Sequence, residues 1–154
     1  MGAIVSNPRK KFLFSLEFIN YPVEPYLFQK CTLPEITVDQ VSHGDLNRDV
    51  KTAGRVQIGN FTAEKLETTS GSDTWLRSWI NSCQDHILGG GLSPLEYWDD
   101  IKVTELAEDG RTPIQIWLMH EVWPCKVNGQ DLDRMASENT IESIEFSVGT
   151  VEKI

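Results

Sequence analysis

A mainly β domain carrying one α-helix, folded as a barrel or a sandwich, is what this sequence predicts. Three observations carry the prediction. Apolar and polar residues alternate with period two at both ends of the chain. Turn-forming residues separate such segments. One stretch near the middle has helical spacing instead. With 154 residues the chain has the size of one domain around one core, so residues 11–154 read as a single unit behind an N-terminal arm over 1–10.

The first strand lies within residues 11–18, where Phe12, Phe14, Leu16 and Phe18 point one way and Leu13, Ser15 and Glu17 the other. Pro22 and Pro25 then interrupt the ladder, because a proline donates no hydrogen bond. Extended chain resumes over 26–41 and breaks at Leu33-Pro34. Ser42, His43, Gly44, Asp45, Leu46, Asn47, Arg48, Asp49, Val50 and Lys51 open a polar stretch over 42–54 that is too long for a tight turn, so it reads as a projecting arm. Residues 55–66 return as a strand, and Gly59-Asn60 shifts its phase as a bulge does.

The helix is expected over 72–88. Ser72 or Asp73 can cap it, and Trp75, Leu76, Trp79, Ile80, Cys83 and Ile87 recur at helical spacing. Trp75, Leu76, Trp79 and Ile80 are the residues expected to pack it on the barrel. Gly89-Gly90-Gly91 ends it. Strands follow over 101–106 and 114–123, joined by the hairpin signal Asp109-Gly110. The second of these is apolar on both faces, as befits a wall covered by a helix or a neighbouring subunit. Residues 142–150 form the closing strand, with Ile144, Phe146 and Val148 on one face and Glu145 and Ser147 on the other.

Net charge is −9, from 23 acidic and 14 basic side chains. No basic stripe is long enough to displace counterions from nucleic acid phosphates, which excludes tight nucleic-acid binding. An acidic wall repels DNA, and salt limits that effect to roughly 8–10 Å; any soluble acidic protein shares the composition. Basic residues follow a short apolar N-terminal stretch, the reverse of an export signal, so none is expected. Cys31, Cys83 and Cys125 are odd in number and lack metal-ligand spacing, which fits reduced thiols; a bond from one of them to a neighbouring subunit is the sharper alternative. His43, His86 and His120 stand apart from any cysteine or carboxylate pair, and the glycine triplet follows a helix where a phosphate cradle must precede one. No catalytic residue, metal site or cofactor is expected.

The segments Phe12-Leu13-Phe14-Ser15-Leu16-Glu17-Phe18, Leu33-Pro34-Glu35-Ile36, Lys51-Thr52-Ala53-Gly54-Arg55 and Ile58-Gly59-Asn60-Phe61 occur in that order. They are followed by Ser72-Asp73-Thr74-Trp75-Leu76-Arg77-Ser78-Trp79, Ile101-Lys102-Val103-Thr104-Glu105-Leu106, Glu121-Val122-Trp123-Pro124 and the closing strand. In order and spacing the chain resembles the tail tube proteins of contractile-tailed phages, a fold that recurs in phage-derived injection particles and in the haemolysin-coregulated protein of type VI secretion. Residues 86–98 depart from that pattern and read as a longer linker.

The resemblance implies two packed antiparallel sheets forming a β-barrel-like domain, six-membered rings, and stacking of rings into a tube with a β-lined lumen. It implies a structural virion protein, not an enzyme, that delivers DNA when the tail contracts. Expected partners are further copies of itself, the tail sheath protein, baseplate and tail-terminator proteins, and a tape measure protein and DNA in the lumen without specific binding. No membrane is implied; the place is the virion tail, assembled in the host bacterial cytoplasm. The 42–54 arm is the expected contact between subunits or rings, and the N-terminal segment the second. Glu17, Glu105, Glu142 and Glu145 are candidates to line the lumen. The alternatives are a tube protein of a contractile injection or type VI secretion system and, more remotely, a small-ligand-binding β-barrel.

Overall fold

The structure, a computed structural model, describes residues 8–20, 28–67, 75–129 and 131–154. Its elements run β1 (Phe14–Phe18), β2 (Phe28–Thr32), β3 (Ile36–Gly44), β4 (Asp49–Ile58), β5 (Phe61–Leu66), α1 (Trp75–Cys83) and α2 (Pro94–Tyr97). Then come β6 (Asp99–Leu106), β7 (Pro113–Val127), β8 (Ile141–Ser147) and β9 (Thr150–Lys153).

Two antiparallel sheets share one strand. The first sheet is ordered β1-β6-β7-β9 and the second β7-β8-β5-β2. The shared strand β7 is long because its two ends do different work. Trp117 to His120 pair with β9, while Trp123 to Val127 pair with β8. The change of partner falls at Glu121, whose φ is +57°, a conformation that bends and re-aims a strand. Gly149 lies against that bend, donates its N–H to the His120 carbonyl at 3.0 Å, and leaves no room for a Cβ beside the Glu121 side chain.

Alternation sorts the side chains. Leu16, Ile101 and Met119 from the first sheet meet Phe61, Ile144 and Phe146 from the second in a fully buried core. Helix α1 closes one end of it. The Phe18 ring lies 5.3 Å from Trp75 and 6.0 Å from Trp79, and Trp79 lies 5.7 Å from Phe146. Leu76 and Trp79 are wholly buried, each contributing about 2–3 kcal/mol by leaving water, while Trp75 and Ile80 are half-buried at its margin. Trp79 donates its indole N–H to the Tyr97 carbonyl at 2.7 Å.

Three sequence expectations are corrected here. The helix ends at Cys83, not 88; the expected cap, Ser72 or Asp73, lies outside the described residues. The Asp85 carboxylate accepts the N–H groups of Ile87 and Leu88 at 2.9 and 3.2 Å, which turns the chain out of the helix and leaves both side chains exposed. Secondly, the expected linker over 86–98 contains the helical turn α2, begun by Pro94 at its first position. Thirdly, the projecting arm over 42–54 is the end of a hairpin closed by a tight turn, for which the sequence reads the stretch as too long. Most of it is strand, and only residues 45–48 form the turn between β3 and β4.

Candidate assembly surface

β3 continues from β2 past Pro34, and β4 runs into β5 past Gly59-Asn60. The β2–β5 pair inside the second sheet therefore extends outward as the β3–β4 hairpin, which among the described residues pairs with no other strand. At about 3.3 Å per residue the nine residues of β3 span about 30 Å. Asp45 sets the tip: its N–H bonds the Arg48 carbonyl at 2.8 Å and its carboxylate accepts the Leu46 N–H at 2.8 Å. Leu46 is 97% exposed there. Cross-strand pairs Ile36–Ile58 and Val38–Val56 stand on one face, yet Val38 is 47% and Val56 60% exposed. β-Branched cross-strand pairs of this kind stabilise a sheet by packing on one another; among the described residues no second layer covers this ribbon.

The second sheet has two unsatisfied sides. Among the described residues β2 is one edge, and at the other residues 123–127 of β7 pair only with β8. Its inner face carries Phe61, Ala63, Ile144 and Phe146; the outer face carries Lys30, Thr62, Glu64, Lys126, Ser143, Glu145 and Ser147. Lys30 faces Glu64 in register, and Lys126 Nζ reaches Glu145 at 3.7 Å. This largely polar face mixes hydroxyls with charges of both signs and ends in the apolar pair Leu66–Ile141.

Against this geometry the four glutamates separate. Glu145 belongs to the polar face, and Glu64 beside it was not singled out in the sequence although its alternation with Ala63 and Lys65 could have found it. Glu142 is corrected: it is 4% exposed, on the core side with Ile144 and opposite the equally buried Lys65, so it lines no open bore. Glu17 and Glu105 stand on the first sheet. Glu17 is exposed opposite Lys102, and Glu105 turns inward to meet Arg9 at 2.6 Å.

Among the described residues no strand pairing closes the barrel between edges β1 and β2. Phe18 and Phe28 touch at the helix end, 5.6 Å between ring centroids, and the two edges part at the other end around a cleft of about 650 Å³. Leu13, Phe14, Cys31, Leu33 and Glu105 line it. Burial, with the charge of Glu105 adding to it, pushes the Cys31 thiol up to about 11, and burial takes Cys83 to about 11 and raises Cys125. All three are protonated, unreactive thiols near neutral pH. Among the described residues, no cluster of His, Cys, Asp and Glu could hold a metal ion, and no helix is long and apolar enough to cross a membrane.

The family description of the T4-like virus tail tube protein gp19 matches residues 10–152. The chain belongs to that tail tube family. Solved structures share its fold. The anti-feeding prophage cap, a tube terminating cap, is similar with TM-score 0.81 and 17% identity, over 100% of this chain and 95% of that one. A chain of the PVC sheath-tube complex, from an extracellular contractile injection system, has TM-score 0.78 and 18% identity over 97% and 93%. Hcp1 from Flavobacterium johnsoniae has TM-score 0.51 and 16% identity over 92% and 94%. No curated protein matches the chain in sequence. A tail tube protein is a structural component, and the described residues of this one present a projecting ribbon, two open sheet edges and one largely polar face.

Proposed function

We propose that this tube protein assembles as six-membered rings that stack into the inner tube of a contractile phage tail, through which DNA passes when the sheath contracts. One observation carries the reading: among the described residues the second sheet has an open edge on each side and continues into an uncovered ribbon. An open edge binds another strand, and edges on opposite sides of one sheet pair head to tail, which closes into a ring when the rotation fits. The polar outer face of that sheet then lines the bore. Its cations and anions balance, Lys30 and Lys126 against Glu64 and Glu145, so it neither holds the phosphate backbone nor forms the uniformly acidic wall that composition suggests. Residues 42–51 act as the contact arm, and the chain works in the virion tail after assembly in the bacterial cytoplasm.

Similar chains come from a sheath-tube complex, a baseplate and tube terminators, which supports sheath, baseplate and terminator proteins as partners; a tape measure protein and DNA occupy the bore. The same structures favour a second reading, the tube of a contractile injection particle with another cargo. Charge reversal on the bore separates the two. Tubes of E64K/E145K are expected to assemble normally, retain DNA in a salt-dependent way and slow genome delivery. Unchanged delivery by a particle carrying that variant, with tubes intact, removes DNA passage from the account.

A further inference from the structure

Glycine follows an aspartate or asparagine at two turns, Asp109-Gly110 and Asn128-Gly129. A glycine amide nitrogen, with no Cβ beside it, can approach the carbonyl carbon of the preceding side chain closely enough to attack it. At Asp109-Gly110 the fold prevents this. The Asp109 carboxylate accepts the N–H groups of Arg111 and Thr112 at 2.9 Å and the Thr112 hydroxyl at 2.6 Å. Those bonds, the Thr112 hydroxyl's above all, hold its pKa down at about 2, and a carboxylate that stays ionised resists a nucleophile. The attacking atom is committed as well, since the Gly110 N–H donates to the Ala107 carbonyl at 2.9 Å.

Asn128-Gly129 is held differently. The Asn128 N–H donates to the Ser143 carbonyl at 3.0 Å, which anchors the chain just before the dipeptide. Gly129 is exposed, and among the described residues, its chain neighbours aside, no atom lies within 4 Å of where its Cβ would stand. We propose that Asn128 is a site of self-modification, converting to aspartate and isoaspartate without an enzyme. The Gly129 nitrogen forms a bond to the Asn128 side-chain carbonyl carbon, the bond from that carbon to the amide nitrogen breaks, and ammonia leaves with the proton from Gly129. Water then opens the cyclic imide at either carbonyl; no oxidant, reductant or cofactor takes part. Each conversion adds one negative charge to the −9 of the sequence. The isoaspartate product also inserts a main-chain methylene after position 128, just beyond Val127, which pairs with Ile144 and packs on the core. The change therefore falls where the β7–β8 ladder has ended. The subunit keeps its fold while the surface beside residues 123–127 becomes more acidic. The inference stands on this turn and is independent of the tube reading.

The test incubates the intact chain at mildly alkaline pH, below its melting temperature. Peptide mass spectrometry maps the asparagines over time, and electron-transfer fragmentation locates isoaspartate. Asn128 is expected to convert before any other asparagine, faster as pH rises and the attacking nitrogen loses its proton more readily, while Asp109 stays aspartate. Isoelectric focusing is expected to show a matching acidic band, with the near-ultraviolet circular dichroism of the tryptophan core unchanged. A methyl group at position 129 meets open space, so G129A is expected to fold and to convert many-fold more slowly. An Asn128 that outlasts the other asparagines in folded protein, an Asp109 that converts as fast, or a rate unchanged in G129A overturns the proposal.

Discussion

The imidazole of His120 joins three strands of the first sheet. From β7 it reaches Asp100 of β6 at 3.2 Å through Nδ1 and Glu152 of β9 at 3.4 Å through Nε2. Burial pulls its pKa down, but hydrogen bonds to Glu152 and Asp100 and the charges of both outweigh that, so the value rises above 6.5. A raised folded value means stabilisation that is complete below the ordinary value and fades as pH rises through the folded one. The melting temperature of wild type is therefore expected to exceed that of H120Q most in mild acid, the difference shrinking through and above neutrality; a pH-independent difference contradicts the bridge. At Trp79 the expected loss is larger and independent of pH. W79F gives up the N–H bond to Tyr97 and leaves a cavity, costing about 2–3 kcal/mol in urea unfolding. The two residues differ in how far the sequence shows them. Trp79 is legible because Trp75, Leu76 and Ile80 share its helical stripe, whereas His120 meets carboxylates 20 and 32 residues away that only the strand pairing brings near.

Strands with one buried face are the legible elements. β1 and β8 show unbroken period-two alternation, and the same rule settles Glu142: it lies two residues from Ile144 and therefore shares the buried face. The β3–β4 ribbon is illegible for the complementary reason. Its apolar residues exchange faces at the bulge between Val38 and Gln40, so no single alternation runs from 36 to 58, and a polar projecting arm over 42–54 is the natural reading. Helix length fails similarly, since Ile87 falls on the helical stripe by chance while the Asp85 turn directs the backbone elsewhere. The bulge gives the element its own expectation. In G54A the new methyl group must displace Asp39 or Val41, which changes the ribbon's twist but touches nothing in the core. The body should unfold within about 0.5 kcal/mol of wild type, while tube formation drops sharply; tubes at wild-type yield contradict a shaped ribbon.

At the scale of the molecule, acidity and architecture are separate matters. The chain carries a net charge of −9, yet the face assigned to the bore is balanced, so the excess favours solubility and spacing between particles more than it repels cargo. The open seam between β1 and β2 and the two free sides of the second sheet belong to pairings between distant segments, and composition or periodicity says nothing of them. They also give the account its central claim, that this chain is complete only among copies of itself. Negative-stain microscopy of the purified protein, across a concentration series, tests that most directly. The account predicts six-membered rings that lengthen into hollow tubes as concentration rises. A particle that stays monomeric at the highest concentration reached contradicts it.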